Sequence, residues 1–363
     1  MKGHHLSVLV VVAVVAIVAA LWTSSIREPS GMAASAGAQL VPGLADSLND
    51  VTTVRLTGPG GQSIATLSRA GEHWTLAEKH GYYADVAGLR ELLLKLAQSE
   101  LVEEKTSNAE YYDRLGVQDI ESADAGGVLI ELEGVEAPAL IIGNQAGSRQ
   151  GVYARQAGEA TSWLASGDIT IADETDQWLD KQLIDINAAR IAEVEIIHPD
   201  GDRLRIYKST FGQPDFEVAE IPSGRELERD NIANPVGSVI QDLRFDDVSP
   251  AAEAGEAPAA AIQAIFRTFD GLVINTAVEA RDDKHYVNLS AAADAELARR
   301  YQSQPEAAEG EEPPPLPPAP DVSAIAGEAE AINQRLGGWV YEIPKFKYDY
   351  FARRMEELLK DSS

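Results

Sequence analysis

Val51–Leu67, VTTVRLTGPGGQSIATL, and Ile191–Tyr207, IAEVEIIHPDGDRLRIY, decide how this chain folds. Val51, Val54 and Leu56 in the first recur at a constant offset as Ile191, Val194 and Ile196 in the second. Pro59 and Gly61 recur as Pro199 and Gly201. Short apolar runs broken by a Pro/Gly turn read as strands joined in a meander. Further out, HWTLAE at His73–Glu78 is answered by DFEVAE at Asp215–Glu220. Recurrence on this scale predicts two similar lobes arising by duplication.

The repeat carries on outward. Asp85 is a candidate N-cap, and Leu89, Leu92, Leu93 and Leu96 follow at helical spacing. Val236, Val239, Ile240 and Leu243 take the same places in the second copy and predict a matching helix. Strands are expected at Gly127–Leu132, Ala139–Gly143, Val152–Arg155 and Thr161–Ala165. Their counterparts are Ile262–Phe266, Leu272–Ile274, Tyr286–Leu289 and Trp339–Ile343. Asp176–Ile184 reads as a helix, and Tyr350–Leu359 as its echo. The expected class is α+β, with lobes at 51–186 and 191–359, each a mainly antiparallel sheet with packed helices. The second lobe carries an acidic, Pro-rich insertion at 303–321, expected to be an exposed spacer that buries nothing. A helix over Asp321–Arg335 follows, stopped by Gly337 and Gly338.

Upstream lies Leu6–Trp22, LSVLVVVAVVAIVAALW, without a charge. A helix of this length comes close to crossing a bilayer. With Lys2 before it, the expectation is an uncleaved transmembrane helix with residues 1–5 in the cytoplasm and the bulk translocated. A cleaved signal peptide ending near Ala34–Ala36 is the rival reading. Residues 23–49 read as a flexible tether.

Among 363 residues there is no cysteine, which excludes disulfides, thiolate metal sites and cysteine nucleophiles. A formal net charge of −28 argues against nucleic acid as a partner and fits solubility or a basic partner. Six histidines are scattered: His73, His80, His198 and His285 lack a metal-ligating spacing, and His4 and His5 flank the apolar run. Asp246–Asp247 and Asp282–Asp283 are adjacent carboxylates, which in a strand point to opposite faces. Gly58–Gly61 lacks the Lys and Ser/Thr of a phosphate loop. No catalytic, cofactor-binding or metal residue is therefore nominated, and the expectation is a protein that is not an enzyme. Tyr82, Tyr83, Tyr111, Tyr112, Trp163 and Trp339 are the candidates for stacking on a sugar. The alternative function is thus a ligand- or glycan-binding module using a cleft between the lobes, and beyond it a hydrolase with a noncontiguous site.

One resemblance rests on order rather than on any single motif. Ala84–Asp85 before the Leu-rich helix, Leu115–Val117, Ile141–Asn144, Gly151–Arg155, Trp178–Leu183 and Gly338–Pro344 follow one another as in a bacterial family. The chain after Asn49 resembles domain of unknown function 4340. That resemblance implies an N-terminal membrane segment, an extracytoplasmic body, and genes beside ABC-type transport components like those of gliding motility. It carries no catalytic residues with it. The role it implies is an accessory or scaffold subunit whose partners are integral-membrane ABC-type transporter subunits.

Overall fold

A computed structural model describes residues 35–147, 151–251, 261–302 and 315–361. Helix α1 (Leu44–Ser47) precedes strand β1 (Thr53–Thr57). The meander β2 (Ser63–Ala70), β3 (His73–Leu76) and β4 (Tyr82–Tyr83) leads to helix α2 (Val86–Gln98). Strand β5 (Leu101–Thr106) and the short α3 (Tyr112–Leu115) come before β6 (Val128–Glu133), β7 (Leu140–Gln145), β8 (Gly151–Gln156) and β9 (Ser162–Ser166). Then follow β10 (Gln182–Ile184), β11 (Ile191–Ile197), β12 (Arg203–Tyr207) and β13 (Glu217–Val218). Helix α4 (Asn234–Gly237), β14 (Leu243–Arg244) and β15 (Asp247–Pro250) precede β16 (Ile262–Thr268), β17 (Leu272–Arg281) and β18 (Lys284–Ala293). Helices α5 (Ala295–Tyr301) and α6 (Val322–Leu336), β19 (Trp339–Glu342) and α7 (Lys345–Phe351) complete the chain.

One compact unit draws its described residues from 1–63 and 90–171. Its strands run in the order β1-β6-β7-β8-β9-β5, every pair antiparallel. Alternation sets the register, with Val54 opposite Leu132 and Leu56 opposite Ile130. Val54, Leu56, Ile130, Ile142, Val152 and Leu164 are buried, as is the Leu92, Leu93, Leu96 stripe of α2. Burying a side chain of this size is worth about 1.5–3 kcal/mol, so the inward faces supply most of the stabilisation. At the end of β8 the buried Arg155 donates to Val117 O and Glu159 O, both at 2.8 Å, and pairs with Asp119. Its guanidinium covers the Tyr112 ring at 4.7 Å.

The other unit draws on 64–89 and 172–363. Its large sheet runs β13-β12-β11-β16-β17-β18-β19-β15, again antiparallel throughout. The six strands from β11 to β15 repeat the connectivity of β1 to β5 in the first unit. β17 and β18 form a long hairpin turned by Asp282 and Asp283 at φ 50° and 64°. Positive φ at both loop residues matches the twist of the flanking strands, which places this carboxylate pair in a tight turn. Helix α6 lies on β17 and β18, clipped where the Asn333 amide exchanges two 2.8 Å hydrogen bonds with the Ala291 backbone. Tyr82 is fully buried among Trp339, Phe245 and Tyr341, at ring separations of 5.0, 5.5 and 6.0 Å. Burial pushes the phenol of Tyr82 above the ordinary tyrosine value and that of Tyr341 well above it.

These findings correct the expected architecture. The molecule is mostly antiparallel sheet, and its helices are few and mostly short. Residues 64–89 group with the later part of the chain in the second compact unit. No helix among the described residues is long and apolar enough to cross a membrane. The longest, α6, has 15 residues and is amphipathic, against the roughly 20 apolar residues that a span requires. The expected transmembrane helix at Leu6–Trp22, its flank 1–5 and residues 23–34 of the tether lie outside the described residues. Three expected helices also change. Asp176–Ile184 is a 3-10 turn followed by β10, Tyr350–Leu359 holds only the end of α7 and a 3-10 turn, and the helix predicted around Val236 shrinks to the four residues of α4.

Candidate functional site

The cleft with the most varied chemistry lies in the second unit between α4 and α7, with a volume of about 590 Å³. Its floor starts at Asn234, whose side-chain oxygen accepts from Phe216 N at 2.9 Å while its amide donates to Asp215. Pro235 opens α4, where a missing N–H costs nothing. Gly237 ends it against the Phe216 ring, which lies 2.2 Å from where a Cβ would sit. The opposite wall is α7, begun when Lys347 N and Tyr348 N both donate to Pro344 O. Phe346 and Tyr350, four residues apart, share one face of α7. Phe351 faces the core instead, its ring 6.0 Å from that of Phe266.

Phe346 is 59% exposed, the highest value among the large apolar side chains described. Between it and Tyr350, the half-buried Lys347 ammonium donates to Val239 O at 3.2 Å and Gln241 O at 3.4 Å. Burial pushes that ammonium below the ordinary lysine value, and the Asp242 carboxylate works the other way. Two of its three N–H groups are engaged, leaving one for a ligand. The mouth carries Arg229 and Asn231, whose side chains have no hydrogen-bond or ion-pair partner among the described residues. No carboxylate is among the lining residues. The site can therefore donate hydrogen bonds, hold negative charge and cover an apolar group.

A second hollow of about 490 Å³ is walled by Phe211, Phe269 and Ile325 and roofed by Pro317, Pro318 and Pro320. The roof is the described end of the Pro-rich insertion. Gln302 donates to Pro317 O and Pro318 O, Pro317 is buried, and Asp321 caps α6. The expectation that residues 303–321 bury nothing is thus corrected for this end, while 303–314 lie outside the described residues. Arg190 at the rim is already committed. It pairs with Asp270 at 2.7 Å and with both Glu328 oxygens, and the Glu328 hydrogen bonds hold it well above the ordinary arginine value.

The residues weighed from sequence disperse. His73 stands edge-on to Tyr83, His80 ends a 3-10 turn at φ 55°, and His285 leans on Tyr348. His198 is buried just beyond β11, beside Arg353 O at 3.3 Å. Among the described residues no group of three His, Cys, Asp or Glu gathers as metal ligands. Asp247 is tied to Lys79 at 2.7 Å, and burial raises the Asp246 carboxyl above the ordinary aspartate value. Of the proposed sugar-stacking aromatics, Tyr82 and Tyr112 are core residues, Tyr83, Trp163 and Trp339 are half-buried, and Tyr111 is exposed beneath Arg114. None of them lines either hollow.

The cleft residues Arg229, Asn231, Phe346, Lys347 and Tyr350 escaped the sequence reading. Its one visible signal was the aromatic-rich run KFKYDYF at Lys345–Phe351. Arg229 is over a hundred residues away, and only the fold brings it there.

No curated protein and no solved structure matches the chain. The model of the family described as a domain of unknown function, DUF4340, matches residues 74–264, more than half of the chain, and the chain belongs to that family.

Proposed function

We propose that this protein is a non-catalytic accessory subunit that works outside the cytoplasm by docking partner proteins of an ABC-type transport system. The observation that carries the docking reading is the cleft beside α7. An exposed Phe346 next to Tyr350, with unengaged donors at Arg229 and Asn231, is the composition of an anchor point in a protein interface. An isolated apolar side chain on a surface is unremarkable, but one at the rim of a hollow with aromatic and arginine neighbours invites a partner. The transport context is only what the family resemblance implies, and the uncharged run Leu6–Trp22 supports an extracytoplasmic body.

The test is affinity capture of the full chain from detergent-solubilised membranes, with mass spectrometry of what copurifies. Transporter subunits are expected with the wild type and are expected to be lost with Phe346→Ala. Absence of such subunits from the wild-type sample, or equal recovery with the variant, overturns the reading.

A further inference from the structure

We infer that the cleft between α4 and α7 takes an acidic peptide segment of a partner protein, Arg229 and Lys347 holding a carboxylate while Phe346 and Tyr350 cover a neighbouring apolar side chain. The inference rests on the cleft being a docking site and adds the chemistry of what docks.

Charge is the first argument. The chain has 58 acidic against 30 basic residues, yet this lining contains two cations and no carboxylate. Most cations in the second unit are already matched. Arg190 holds Asp270 and Glu328, Arg267 holds Glu193 and Glu195, and Arg354 holds Asp200 and Asp202. Arg229 has no such partner among the described residues, and a guanidinium fork suits a carboxylate in two-point contact.

The balance of donors and acceptors is the second argument. Arg229, Lys347 and the Tyr350 hydroxyl can all donate. Acceptors are neutral and fewer, since the Asn234 oxygen already accepts from Phe216 N, which leaves the Asn231 amide oxygen and the Ser238 and Tyr350 hydroxyls. A neutral polyol such as a sugar would bring no counter-charge for Arg229 and Lys347. Peptide carbonyls and carboxylates only accept, and they fit a donor-rich lining. The apolar part, Phe346 with Pro235 and Val239, accommodates a side chain beside the charge.

The experiment is fluorescence anisotropy with full-length protein and a fluorescein-labelled peptide of alternating glutamate and phenylalanine. A second peptide replaces every glutamate by glutamine. Saturable binding of the acidic peptide is expected, weakening at least about tenfold with Arg229→Gln or Phe346→Ala and falling as salt rises. Arg203→Gln, which removes an exposed cation on β12, should leave affinity unchanged. Circular dichroism checks that each variant folds. No saturation up to about 1 mM, equal affinity for the glutamine peptide, or an Arg229→Gln affinity within about twofold of wild type overturns the proposal. So does an acidic oligogalacturonate that binds where the peptide does not. If transporter subunits still copurify with Arg229→Gln but not with Phe346→Ala, docking stands and the charge assignment falls. If the peptide binds as expected and no subunit copurifies, the charge assignment stands and the transport role falls.

Discussion

Gly237 shows how one residue shapes the cleft from below. A Cβ there would stand 2.2 Å from the Phe216 ring, far inside contact distance. The ring cannot easily yield, because the Lys208 ammonium sits over it at 4.5 Å while donating to Ala188 O. That lysine is buried, and burial lowers its affinity for the proton. Gly237→Ala should therefore lower stability by about 1–3 kcal/mol, the usual cost of overpacking. It should also weaken binding of the acidic peptide, since α4 would have to move. The urea midpoint measures the first effect, and an unchanged midpoint would show that Phe216 has somewhere to go.

Among the elements, strand β13 is held at the sheet edge by the network around Glu217. Its carboxylate accepts from Ser209 Oγ at 2.7 Å, and also from Gln213 and the Tyr207 hydroxyl. These bonds, led by Ser209, lower its pKa below the ordinary 4.5. The folded state thus prefers the ionised form. Its contribution to stability is full above the unfolded value and is lost as pH falls through the lower folded one. Replacing Glu217 with Gln should remove that contribution, so the variant is less stable than the wild type near neutrality, converges with it in acid and has a flatter acid limb below about pH 4.5. A variant that tracks the wild type at every pH would show the network to be idle. The elements also mark where sequence reading succeeds. Strands such as β11 and β16 were legible because Val194, Ile196, Ala264 and Phe266 alternate inward, and α6 because Asp321 caps it and glycines stop it. Helix α4 was not. The Val236, Val239, Ile240, Leu243 spacing imitates α2, but Pro235 and Gly237 interrupt it, so that of the four buried side chains Val236 stays in α4, Val239 and Ile240 serve turns and Leu243 a strand.

For the molecule as a whole, a net charge of −28 is a standing repulsion that folding concentrates. Raising salt from about 20 mM to about 300 mM should screen it and raise the Tm by a few degrees in scanning calorimetry. The same change should weaken the acidic peptide, so the two salt responses carry opposite signs. A falling Tm would mean that ion pairs such as Arg190–Glu328 outweigh the repulsion. The alternation of single strands was readable, whereas the assignment of 64–89 to the later unit was not, because nothing local in Tyr82 announces Phe245 or Tyr341. That buried ring has a consequence for synthesis. Tyr82 leaves the ribosome long before Tyr341 does, and at about 5–20 residues per second the wait is roughly 10 to 50 s. Until then its pocket does not exist, and the nascent chain carries an unsheltered aromatic patch that a chaperone or an early strand partner must occupy.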